Sequence, residues 1–272
     1  MSRSITSGVG VVGMLSVALA CAARGEPPAA RSTQQAESRV EAQDSLRPGA
    51  PPGEPASSFP APTRPVADIV APRWTNEDER DDVGEFERVA KLAGVRAGMS
   101  VADIGAGDGY YVSRLARIVG GNGRVYGNDI IPDYLRLLQR RVTSEKLGNV
   151  QVVLGDPHDP RLPPSALDVA IMIHMYHEIE QPFGLLWNLA TEMKANGRLV
   201  ILDLERPTFG HGTPPALLRC ELRAVGYREV SFTKTAGEEY VAIFEAPSVA
   251  TRPTPASIKS ALQSKPCLVS RG

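Results

Sequence analysis

Between residues 73 and 246 short apolar runs alternate with longer stretches of helical spacing, and that alternation leaves few folds open. Residues 100–104, 124–128, 150–154, 167–173 and 198–204 read as strands by their length and flanks. Helices fit between them. One follows the N-cap Thr75, with Glu77, Asp78 and Glu79 in its first turn and Gly94 as its stop. Others are expected over 110–119, from Pro132 through the stripe Leu135, Leu138 and Val142, from Pro182 to Asn196-Gly197, and over 215–225. Two last strands, 227–233 and 240–244, are close enough in sequence to pair antiparallel. The order specifies an α/β fold, a doubly wound and mostly parallel sheet with its ligand crevice at the carboxyl ends of the strands.

The flanks read differently. Residues 1–23 have the pattern of an export signal, with Arg3, an uncharged apolar stretch and Ala18-Leu19-Ala20 directly before Cys21. That Cys resembles the acceptor of a bacterial lipobox, although Ala18 stands where such boxes carry Leu, Val or Ile. Cleavage after Ala20 or Ala22 is the alternative. Residues 24–72 hold ten prolines and one aromatic, Phe59, and are expected to form a disordered tether. Residues 247–272 are expected to be a disordered tail. The domain is therefore placed at 73–246, with export to the periplasm or a membrane tether through lipidated Cys21. A cytoplasmic enzyme whose first 70 residues are no signal is the alternative.

Composition excludes several classes. Lys plus Arg number 30 against 31 Asp plus Glu, which argues against a nucleic-acid partner held by a global basic surface. Three Cys cannot staple 272 residues. No Gly-Lys-Ser/Thr is present, so a phosphate-binding P-loop is out.

The chemistry sits after the strands. The first strand runs into Asp103-Ile104-Gly105-Ala106-Gly107-Asp108-Gly109, a turn in which alternate glycines let backbone approach a ligand. The glycine spacing departs from the dinucleotide pattern by one residue, and Tyr110 fills the expected slot. A carboxylate at Asp103 disfavours a pyrophosphate and suits an ammonium-bearing ligand. Asp129, about 20 residues after the glycines, can accept both hydroxyls of a ribose. Asp156 closes the third strand and can accept from an exocyclic amine. Each Asp alone could be a turn or cap residue; three at consecutive strand tips beside one glycine turn are more specific.

This constellation resembles the class I S-adenosylmethionine-dependent methyltransferases over about residues 75–245. The stretch from Val101 to Gly109 is similar to the family's first motif, Asp129 sits where the family has its ribose-binding acid, and Val153-Leu154-Gly155-Asp156 is similar to its adenine segment, with Pro157 and His158 beside the ring. Asn196-Gly197 stands in for the family's Lys-Pro-Gly-Gly turn. The resemblance implies a seven-stranded sheet with its last strand antiparallel, S-adenosylmethionine as cofactor, and a cofactor-binding set of Asp103, Gly105, Ala106, Gly107, Gly109, Asp129, Ile130, Asp156 and Pro157. It is nearest to small methyltransferases of the quinone and protein-carboxyl types, and a small-molecule acceptor is expected.

The fourth strand delivers His174-Met175-Tyr176-His177-Glu178, which the resemblance places at the acceptor pocket. His174 and His177 are the candidate catalytic bases; packing or capping is the alternative for both. The order His-x-x-His-Glu matches neither zinc-protease arrangement, and a third ligand would have to come from elsewhere, for instance His158 or His211, so no metal is expected. Tyr110 and Tyr111 could close over the cofactor or simply pack. Cys267 could pair with Cys220 in an oxidising compartment. The second functional class compatible with the sequence is an exported protein of this fold that holds an adenosyl or other small ligand without catalysis.

Overall fold

The computed structural model describes residues 49–69 and 76–268. The expectations for residues 1–23, Cys21 included, and for Thr75 lie outside the described residues. After two short helices, α1 (Glu77–Asp82) and α2 (Glu85–Ala93), the chain runs β1 (Ser100–Ile104), α3 (Tyr110–Val119), β2 (Arg124–Asp129), α4 (Pro132–Ser144), β3 (Val150–Leu154), β4 (Leu167–Ile173), α5 (Pro182–Glu192), β5 (Met193–Leu204), α6 (Pro215–Val225), β6 (Arg228–Lys234), β7 (Glu239–Glu245) and α7 (Pro255–Ser264).

The seven strands form one sheet in the order β3-β2-β1-β4-β5-β7-β6. β1 pairs in parallel with both β2 and β4, and β3 and β5 extend the parallel set outward. β7 is antiparallel to both β5 and β6 and lies between them. The strand order reverses between β1 and β4, which is where such a sheet opens a crevice for a ligand. Strand residues alternate between two cores. Ala102, Ile104, Ala170, Met172, Leu199 and Ile201 face α5, α6 and α7. Val101, Val125, Val169, Ile171, Val200 and Leu202 face α2, α3 and α4. Burial on both faces explains the continuous apolar runs of β1 and β4.

Local departures from the sequence reading have local causes. The first expected helix is two helices, because Gly84 takes a left-handed φ of 61° between them; α1 is capped by Asn76, whose side chain accepts from the Glu79 amide at 2.7 Å. α5 ends at Glu192 rather than at Asn196-Gly197. Met193 is buried and pairs with Leu167, so β5 starts early and Asn196 (φ 63°) turns within it.

The larger correction concerns the flanks. Residues 49–69, expected to be tether, lie along the α5–α6 face as an ordered strap. The Gly53 amide donates to Asp159 (2.7 Å), Glu54 and Asn188 exchange two bonds, and Phe59 is buried against Trp187, with ring centroids 5.8 Å apart. Arg64 is 4% exposed and forms a buried pair with Glu221 at 3.0 Å. Low average hydrophobicity does not prevent docking when a stiff, proline-rich segment carries a few anchors that the domain can receive. The C-terminal stretch is also ordered, up to Leu268. Thr254 caps α7 through the Ser257 amide, Ile258 is buried, and Cys267 forms a disulfide with Cys220 on α6. The folded body among the described residues therefore exceeds the 73–246 expected.

Candidate active site

The site begins at the turn after β1. The amides of Gly105 and Ala106 both donate to the Asn128 carbonyl at 2.9 Å, which fastens the turn to the end of β2. Gly105 (φ 75°) and Gly107 (φ 57°) hold left-handed backbone that other residues adopt at a cost, and a Cβ on Gly105 would stand 3.0 Å from Met175. The chain then enters α3, whose first two residues, Tyr110 and Tyr111, line the same space.

Asp129 at the tip of β2 is fixed from both sides. One carboxylate oxygen accepts from the Gly107 amide and the other from the Ile131 amide, each at 2.9 Å. Burial raises its pKa, and these backbone bonds partly offset the rise. Asp103 is 3% exposed, and no described residue donates a hydrogen bond to its carboxyl. Burial pushes its pKa up to about 7; Arg80 lowers it and Asp129 adds to the rise. A buried carboxyl in this condition favours a cationic ligand group. Asp156 sits past the tip of β3 with one oxygen held by Arg161 at 2.8 Å.

These groups open into one cavity of about 610 Å³, within the range of small-ligand and cofactor sites. Of the residues expected to bind cofactor, Asp103, Gly105, Ala106, Gly107, Asp129, Ile130, Asp156 and Pro157 line it. Gly109 does not. It caps α3 at φ 95°, and a Cβ there would collide with Leu138 at 2.4 Å, so its glycine serves helix packing. His158 is not among the lining residues either; its carbonyl accepts from Asn188. Tyr110 and Tyr111 line the cavity, but their hydroxyls are committed to Asp81 (2.7 Å) and Glu85 (2.9 Å).

The opposite wall comes from the loop after β4. His174 takes φ 52°, an uncommon conformation for a residue with a side chain, and lines the cavity. Its Nε2 stands 3.5 Å from Glu85. Burial works against ionisation of Glu85, yet His174 and Arg80 outweigh it and hold its pKa down at about 2. His177, the other candidate base, is 1% exposed and does not line the cavity. Its Nδ1 is 3.1 Å from Asp203 at the end of β5, and its ring meets that of His211 edge-on at a centroid distance of 5.5 Å. The catalytic expectation for His177 is therefore corrected: the short 3-10 turn Tyr176–Glu178 rotates it behind the wall.

The same loop is tied down by the strap. The Arg64 guanidinium donates to the carbonyls of Tyr176 (3.2 Å), His177 (3.2 Å) and Ile179 (3.3 Å) while it pairs with Glu221, and Tyr176 donates its hydroxyl to Glu221 at 2.9 Å. Glu85, Arg80 and Arg64 carry no spacing signal in the sequence. Asp203 does, since it stands near the carboxyl end of an apolar strand as the other three acids do.

A family model described as a methyltransferase domain matches residues 96–245, more than half of the chain. The chain belongs to the S-adenosylmethionine-dependent methyltransferases. Among curated relatives it is 28% identical to a ubiquinone/menaquinone biosynthesis C-methyltransferase of Pseudomonas putida, over 43% of this chain and 46% of that protein. It is 31% identical to a protein-L-isoaspartate O-methyltransferase of Pyrococcus horikoshii, over 41% and 47%. The chain thus spans about half the length of the curated relatives it matches. The fold is shared with a SAM-dependent methyltransferase from Aquifex aeolicus, at a TM-score of 0.58 and 22% identity over 64% of this chain and all of that one. It is also shared with the PH0226 protein of Pyrococcus horikoshii, at a TM-score of 0.55 and 16% identity over 65% of this chain and 97% of that one. S-adenosylmethionine is the methyl donor of the family, and a cavity that combines a buried carboxyl, Asp103, with a glycine-rich turn and the fixed carboxylate of Asp129 fits a ligand of that charge and size.

Proposed function

We propose that the chain transfers a methyl group from S-adenosylmethionine to a small-molecule acceptor bound beside His174. What carries this reading is that one cavity holds the three strand-tip acids and glycine turn on one wall and His174 on the other. The donor supplies an electrophilic methyl carbon on a sulfonium. Asp103 would take the ammonium group, Asp129 the ribose hydroxyls, and Asp156 with Pro157 the adenine side. Holding donor and acceptor in line can supply about 7–11 kcal/mol of the barrier reduction. Where the acceptor is a hydroxyl or amine, His174 would accept its proton, and the Glu85 carboxylate 3.5 Å away would stabilise the resulting imidazolium. The described lining carries nine carboxylates and a single arginine, Arg80, which disfavours an acceptor rich in phosphate.

The test is a turnover assay of the full chain against pooled small-molecule extracts, with calorimetric titration of the donor in parallel. His174→Ala should lower kcat by about 10²–10⁴ and leave donor affinity intact. Donor binding with no turnover on any acceptor would favour the non-catalytic binder instead. The Cys220–Cys267 disulfide supports a second part of the proposal, that the domain works in an oxidising compartment, as an exported protein does. Fractionation of cells making the full chain, with a Cys21→Ser control, tests it; a wholly cytosolic protein would refute it.

A further inference from the structure

His177 is the buried polar side chain for which the methyl-transfer reading has no use. Its Nδ1 faces Asp203 at 3.1 Å, and that carboxylate also accepts from the Thr213 hydroxyl (2.7 Å) and the Leu204 amide (2.8 Å). A carboxylate can only accept, so Nδ1 carries a proton towards Asp203, and in the neutral ring Nε2 presents a lone pair. His177 is 1% exposed, and among the described residues its Nε2 has no hydrogen-bond partner. Such a group is costly to keep unless something is meant to meet it. What lies in front of it is the Glu178 carboxylate, 3.9 Å away, and the ring of His211, brought in by the 3-10 turn Thr208–Gly210 after β5.

We propose that His177, Glu178 and His211 form a binding site for a divalent transition-metal ion at the acceptor end of the cavity. One ligand atom from each lies within 4.8 Å of the other two, a spacing that small side-chain movements convert to coordination around a single ion. Two imidazoles and a carboxylate suit zinc, iron(II) or cobalt(II) over magnesium or calcium, which take oxygen donors. Asp203 supplies the outer carboxylate that fixes the tautomer of a metal-bound histidine. Glu178 and His211 both line the cavity, so the open coordination positions face it, as in catalytic rather than closed structural sites. An acceptor bearing a hydroxyl or thiol would complete the coordination there; this last clause rests on the methyl-transfer reading, whereas the site itself does not. A second cluster, Glu85, His174 and Glu239, has similar spacing, but among the described residues none of its side-chain atoms is buried without a hydrogen-bond partner, as His177 Nε2 is.

The experiment uses the untagged full chain, stripped with chelator and titrated with Zn²⁺ by equilibrium dialysis and with Co²⁺ by visible absorption. One ion per chain with a micromolar or tighter Kd, and ligand-field bands for Co²⁺, are expected. His211→Ala and Glu178→Gln should each weaken binding tenfold or more, and Asp203→Asn by about 10–100-fold through the outer shell. Glu239→Gln should leave Co²⁺ affinity unchanged. Circular dichroism of each metal-free variant checks that it is folded. Substoichiometric binding, an unaltered Co²⁺ spectrum in both His211→Ala and Glu178→Gln, or a loss that follows Glu239→Gln instead would overturn the assignment. Donor titration of the metal-free protein reports separately on methyl-donor binding, so the two readings can fail independently.

Discussion

The two walls of the cavity are built by different means. The proposed donor wall is local: Asp103, Asp129 and Asp156 each stand at or next to the carboxyl end of a strand, the glycine turn follows β1, and neighbouring parallel strands bring the tips together. The proposed acceptor wall is assembled from afar. His174 rests against Glu85 from α2, His177 against Asp203 and His211 from β5 and its loop, and the backbone of Tyr176–Glu178 hangs on Arg64, more than 100 residues earlier in the chain. A fold can repeat the first wall in many proteins while the second is rewritten.

The sharpest test of that contrast is Arg64. Arg64→Met leaves Glu221 buried without its cation and removes three loop contacts, and loss of one partner of a buried pair costs about 3–5 kcal/mol. Urea unfolding should show that loss. If the walls are independent, a folded remnant should bind donor better than it turns over. Next is the tail. Cys220→Ser opens a disulfide that closes 47 residues, and such bonds contribute about 2–4 kcal/mol. Thermal melts with and without reductant should differ in the native protein and coincide in the variant.

On the donor wall, Asp129→Ala should weaken S-adenosylmethionine binding about tenfold or more, since a hydrogen bond to a charged group is worth about 1.5–3 kcal/mol; an unchanged Kd by calorimetry would remove the ribose assignment. The smallest effect is a pH dependence. Asp103 has a pKa of about 7 in the folded protein, above the ordinary carboxyl value, so folding favours its protonated form. That contribution to stability is fully present below about pH 4 and is lost as pH rises through about 7. Donor binding needs the ionised form and should therefore weaken, by up to about tenfold per pH unit, as pH falls below 7. Asp103→Asn should flatten that profile.

The contrast also explains what could be read from sequence. The strands follow from runs such as Leu167–Ile173, apolar on both faces, and the acids proposed to hold the donor stand out because each lies within two residues of the end of such a run. Gly109 caps a helix and lies off the cavity, and a glycine needed for a helix cap and one needed for a ligand look alike in a short turn. His177 was misplaced because one residue of 3-10 turn decides which side of the wall a side chain faces. The strap and tail were missed for another reason. Phe59, Arg64 and Ile258 are single anchors in polar surroundings, without period, and Trp187 and Glu221, the partners of the first two, lie far away in the chain; among the anchoring contacts only the Cys220–Cys267 pair is legible beforehand. Composition averages such anchors away.

The guanidinium of Arg64 has a practical bearing on how this protein can be handled. Trimming the chain to the stretch that matches its relatives would discard the clasp that holds the histidine loop in shape. A shortened version could still capture the donor and yet be inert, and that inertness would say nothing about the intact enzyme.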